Sequence, residues 1–67
     1  MNVMSEDELV RAQLKQLRIA HAQLDEELED LGPNADVLAI RRLKKRKLSL
    51  KDQIAALEDQ LYPDIIA

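Results

Sequence analysis

Leu28-Glu29-Asp30-Leu31-Gly32-Pro33-Asn34-Ala35-Asp36-Val37 is the stretch that decides the fold. It holds the only glycine of the chain and one of its two prolines. Glycine takes positive φ without the penalty that a Cβ imposes, and it is the preferred residue just past a helix end. Proline one position later has no amide hydrogen and clashes with the preceding turn, so it cannot continue that helix. Asn34 then fits the N-cap of a second helix, with Asp36 near that helix's positive end. The pattern predicts helix 1 over about 6–31, a turn at 32–34, helix 2 over about 35–61 and a tail at 62–67, in a single helical-hairpin domain over 1–67. Each helix is then roughly 40 Å long at ~1.5 Å per residue. Matched lengths around a short turn describe an antiparallel αα-hairpin.

The outer ends carry their own signals. Ser5 followed by Glu8 has the spacing of a capping box, and Met4 and Leu9 stand where a hydrophobic staple sits. Glu6 and Asp7 favour the first turn through the helix dipole. Tyr62 precedes Pro63, and a residue before proline is disfavoured in the α region, so helix 2 ends there. Asp64-Ile65-Ile66-Ala67 is a short tail with two isoleucines and no assigned role.

Between those ends runs a heptad. Helix 1 places Val10, Leu14, Leu17, His21, Leu24, Leu28 and Leu31 at alternating steps of four and three. Helix 2 repeats the steps at Ile40, Leu43, Lys47, Leu50, Ile54, Leu57 and Leu61. A period of about 3.5 residues is the seam of a coiled coil. When the chain folds at Gly32-Pro33, residues whose numbers add to about 68 face each other, and the two polar intruders, His21 and Lys47, fall in one layer. The same register sets Asp25 beside Lys44 and Arg11 beside Glu58, and it opposes Arg18 to Lys51. The expected fold class is all-α: an antiparallel two-helix coiled-coil hairpin.

Composition narrows the function classes. Sixty-seven residues with no Cys, Phe or Trp and one Tyr exclude a disulfide-stapled domain and a Cys-based zinc site. They also disfavour β-sandwiches and barrels. Twelve Leu, eight Ala and 34% charged residues favour amphipathic helices. Net charge is −3, so the whole chain is not a polyanion binder by charge alone. No apolar run is long enough to span a bilayer or to form a signal-peptide core, and a cytoplasmic protein is the expectation. An isolated two-helix hairpin of this size is marginally stable. Leu9, Ile19, Leu38 and Leu48 lie off the seam and are the candidate partner contacts. A homo-oligomer in a four-helix arrangement, or docking on a protein partner, is therefore expected.

The strings His21-x-x-Leu24-Asp25-x-Glu27-Leu28 and Leu43-Lys44-Lys45-x-Lys47-Leu48-x-Leu50-Lys51-Asp52-x-Ile54 resemble the YdcH-like family of short bacterial proteins, a domain of unknown function. Asn34-Ala35-Asp36-Val37 resembles the family's segment before helix 2. The resemblance covers roughly 20–60. It implies a small cytosolic helical hairpin from a bacterium and implies no activity, since none is established for the family.

Three groups of residues could carry chemistry. The first is a basic run in which Arg41, Arg42, Lys44 and Lys45 are the candidate polyanion-binding residues, followed by Arg46, Lys47 and Lys51. It could meet phosphates of RNA, DNA or anionic lipid, yet no aromatics interleave for base stacking. The competing view is a solvated helix face, partly neutralised across the turn by the acidic run Asp25–Asp30. The second is the His21–Lys47 layer with Asp25 one turn on. A polar layer specifies register at some cost in stability. A histidine there is also a potential pH switch, whereas a nearby ammonium opposes a metal. The third is the acidic run itself, whose side chains fan around the helix instead of converging on a cation. No catalytic residue, cofactor or small-molecule substrate is expected, and no Gly-rich phosphate loop is present. The leading expectation is a non-enzymatic structural or interaction module. The alternative is an accessory polyanion binder working through the basic face of helix 2, with nucleic acid the less favoured partner. An amphipathic membrane-surface hairpin is weakened by the acidic helix 1 and the missing aromatic anchors.

Overall fold

A computed structural model describes residues 3–62. Two helices make up the fold, α1 over Glu6–Leu31 and α2 over Val37–Leu61. They pack on each other as an antiparallel hairpin. The tail, with Ile65 and Ile66, lies outside the described residues.

The caps explain the boundaries. The Ser5 hydroxyl accepts from the Glu8 N–H at 3.2 Å, one half of the capping box, and satisfies an amide that the first turn leaves without a partner. At the other end, Gly32 takes φ 71° and ψ −177°. That corner of backbone space is essentially restricted to glycine. Pro33 contributes too, because a residue before proline is pushed out of the helical ψ range. Beyond the turn the expected cap is corrected. Asp36, not Asn34, is the N-cap of α2, and its carboxylate accepts from Leu38 N–H at 3.1 Å. Helix 2 therefore begins at Val37, two residues later than expected. An aspartate at this position both accepts the free amide and places negative charge at the dipole's positive end. Tyr62 closes α2 by donating its N–H to the Glu58 carbonyl at 2.8 Å.

All fourteen heptad positions are buried or half-buried. Val10, Leu14 and Leu24 are the buried ones, each under a tenth exposed. Outside the seam, half-buried positions are few: Ala20, Asp25, Ala35, Ala39 and Glu58. Two of these, Asp25 and Glu58, accept cross-helix ion pairs.

Those pairs differ from the expected ones. Asp25 takes Lys47 in place of Lys44, and Glu58 takes Arg18 in place of Arg11. Arg18 therefore meets a carboxylate, not the like charge of Lys51. The numbers of the observed partners add to 72 and 76, above the 68 of the simple fold-over. The physical reason is the tilt of helical side chains toward the N-terminus of their own helix. In an antiparallel pair both partners lean back along their own helix, so partners lie further along the chain than backbone positions at one height. The long arms of Lys and Arg add to the offset.

Candidate functional site

The polar layer is built from the seam outward. His21 and Lys47 stand at heptad positions, and both are half-buried. Asp25 follows His21 by one helical turn, on the flank that faces α2. The Lys47 ammonium donates to Asp25 Oδ1. His21 Nδ1 lies 3.7 Å from Asp25 Oδ2, close enough for charge attraction but beyond hydrogen-bond length. Asp25 thus ties the two polar seam residues into one layer. The bond from Lys47 is the main cause that lowers the Asp25 pKa below the ordinary carboxylate value. Partial desolvation opposes it, while the charges of Lys47 and His21 add to it.

This cluster is open to solvent on one side. The Asp25 side chain is 45% exposed, so no enclosed pocket surrounds it. General-base chemistry draws on positioned, partly desolvated groups, and metal sites on converging ligands. No group of three or more His, Cys, Asp or Glu is placed to hold a metal among the described residues. The Lys47–Asp25 salt bridge joins the two helices from seam to flank at this height.

The four candidate partner contacts are all exposed, Leu9 at 50%, Ile19 at 44%, Leu38 at 56% and Leu48 at 62%. They do not form one patch. Leu38 lies beside the turn and Leu9 at the far end of α1. Ile19 borders a shallow groove with Leu14, Leu61 and Tyr62, and Leu48 sits among the lysines of α2.

Arg41, Arg42, Lys44 and Lys45 are exposed on α2. At about 100° per residue they fall within an arc of about 160°, so they share one broad side of the helix. The ion pairs among the described residues do not include them. The compensation expected between the acidic run and Arg41, Arg42 and Lys44 is therefore not made by direct contact; within that run Asp25 alone is paired, to Lys47 and His21.

A feature that the heptad reading passed over lies one residue before each seam position. On α1 this stripe reads Leu9, Gln13, Gln16, Ala20, Gln23, Glu27 and Asp30; on α2 it reads Ala39, Arg42, Arg46, Ser49, Gln53, Ala56 and Gln60. The fold brings both stripes to the same side. Gln13, Gln16, Gln53 and Ala56 line one groove with Leu17 and Leu57, and Ala20, Gln23, Glu27, Arg46, Ser49 and Gln53 line the next. The opposite flank carries the ion pair between Arg18 and Glu58 and the acceptor Asp25. The signal was present in the sequence as a shortage of charge at one heptad offset.

No curated protein and no solved structure matches the chain. One family model, described as Protein of unknown function (DUF465), matches residues 14–58. The matched stretch takes in most of α1, the whole turn and most of α2, and the chain belongs to this family of unknown function.

Proposed function

We propose that this hairpin is a non-enzymatic interaction module, which self-associates or docks on a protein partner through apolar residues outside its own seam. The observation that carries the reading is the thinness of the core: Val10, Leu14 and Leu24 are the buried side chains among the described residues. Two helices alone leave the rest of their apolar surface partly wet, and burial of that surface is the main favourable term in association. Leu9, Ile19, Leu38 and Leu48 supply further exposed apolar area. A four-helix assembly of two hairpins covers both helices with the smallest number of chains. The resemblance to YdcH-like proteins and the absence of cysteine accord with work in the bacterial cytoplasm.

Sedimentation velocity over a wide concentration range, with helicity followed in parallel, tests this. The expected result is an assembly larger than one chain whose helicity falls on dilution. A fully helical monomer at every concentration sinks self-association, and the protein-partner form of the reading then rests on high-salt pull-down with Leu48→Asp or Ile19→Asp as controls. The second reading, polyanion binding, draws support from the exposed basic residues Arg41, Arg42, Lys44 and Lys45, none of them ion-paired among the described residues. Nucleic-acid binding that falls steeply with salt and disappears when these four are neutralised is its signature.

A further inference from the structure

We infer that a second copy of this chain docks on the neutral face, with the two-fold axis running along the hairpin, so that α1 of each copy lies on α2 of the other. The inference rests on self-association of the chain and moves the contact from Ile19, Leu38 and Leu48 to this face. It starts from the two stripes that flank the seam. The one carrying Gln13, Gln16, Gln23, Gln53 and Gln60 has no charged residue except at the turn end, where Glu27 and Asp30 sit on α1 and Arg42 and Arg46 on α2. Burying this face strips water from four ions per chain, whereas the opposite flank, one residue after each seam position, carries nine, of which Arg18, Asp25 and Glu58 already satisfy partners across the hairpin.

Charge then chooses the symmetry. An axis along the hairpin preserves height, so the numbering offset seen within one chain also governs contacts between copies. Asp25 and Lys47, whose numbers add to 72, give that offset. Across the interface Glu27 then meets the Arg46 site, Asp30 the Arg42 site, Gln23 Ser49, Gln13 Gln60, Gln16 Ala56 and Ala20 Gln53. Acid meets base at both charged rungs, and the remaining rungs pair amides with amide, hydroxyl or alanine, with no charge against an uncharged partner. Glu27 and Arg46 line the same groove and are exposed, and neither is ion-paired among the described residues. Every helix in the four-helix assembly then has antiparallel neighbours. An axis perpendicular to the helices puts α1 on α1 and leaves Glu27 and Asp30 opposite Ala12 and Leu9, without a countercharge. Small residues at Ala20 and Ala56 permit close approach of the backbones.

The test mixes two charge-reversed chains. Glu27→Arg and Arg46→Glu each create like-charge contacts in their own dimer and opposite charges in the mixed one. Each variant alone should dimerise roughly tenfold more weakly than the native chain at low salt. Mixed in equal amounts, they should form the heterodimer in clear excess over the half expected from random pairing, read by native mass measurement. A pairing of Glu27 with Arg46 inside one chain predicts no such preference. Gln23→Glu mixed with Ser49→Lys repeats the experiment further from the turn, in case reversal at Glu27 or Arg46 disturbs folding; circular dichroism monitors each chain. A native chain that is a monomer at all concentrations removes the self-association reading and this inference with it. A native dimer for which both pairs mix at random overturns the inference alone. Disruption by Leu38→Asp and Leu48→Asp, with the neutral-face variants unaffected, then transfers the contact to the off-seam leucines.

Discussion

Gly32 shows how one residue constrains the whole chain. A Cβ built there meets no atom within 4 Å, so space is not what excludes other residues. The backbone excludes them: φ 71° with extended ψ is a conformation that L side chains resist, at a cost of about 1–3 kcal/mol. Gly32→Ala should lower stability by that amount without changing the helical content of the folded state, as measured by urea denaturation. Asp36→Ala removes the cap of α2 and should cost about 0.5–2 kcal/mol, read in the same way. Asp25 predicts a pH dependence. Its pKa is lower in the folded chain than in the unfolded one, first through the bond from Lys47. Its contribution is therefore complete above the ordinary carboxylate value and is lost as pH falls through the lower folded-state value. Acid titration of the urea midpoint should show a drop that Asp25→Asn or Lys47→Met reduces; an unchanged acid limb would separate this pair from stability.

At the scale of the element, each helix has an apolar stripe that its partner helix covers. Most of the stability of a helix in a folded protein comes from packing of such a stripe, not from intrinsic propensity. Leu14 is the most buried side chain described, at 3% exposure, so Leu14→Ala should cost about 2–5 kcal/mol, enough to unfold a marginal hairpin. Leu48→Ala, at an exposed position, should change the thermal midpoint little when the chain is dilute. If the two variants melted alike, the seam would not be the source of stability. The element scale also shows what one sequence could reveal. The steps of four and three identify every seam residue, because hydrophobic periodicity is a property of one helix at a time. Partners of charged side chains were not legible in the same way. Lys47 reaches Asp25 past Lys44, and Arg18 reaches Glu58, because side-chain tilt and arm length act only once a second helix stands alongside.

For the whole molecule, the acidic end of α1 and the basic start of α2 lie on either side of one turn. Attraction between exposed charges of this kind acts through solvent and is screened by salt, with a Debye length of about 8 Å near physiological ionic strength. Raising salt should therefore weaken any association that uses Glu27 and Arg46, while strengthening the apolar seam if the salt is sulfate. Sedimentation in chloride and in sulfate separates the two contributions.

Local chemistry written in the chain determined that there are two helices, where they break and which faces they bury. Caps, a glycine before a proline and a heptad act over a few residues, so they can be read in order along the sequence. Only the folded hairpin decided that Asp36 is the cap of α2, that Asp25 joins His21 and Lys47, and that two charge-poor stripes share one side. Each of these depends on positions in space that neighbours in sequence do not set: the course of the turn, the lean of side chains across an antiparallel pair, and the side of the hairpin to which each stripe is turned.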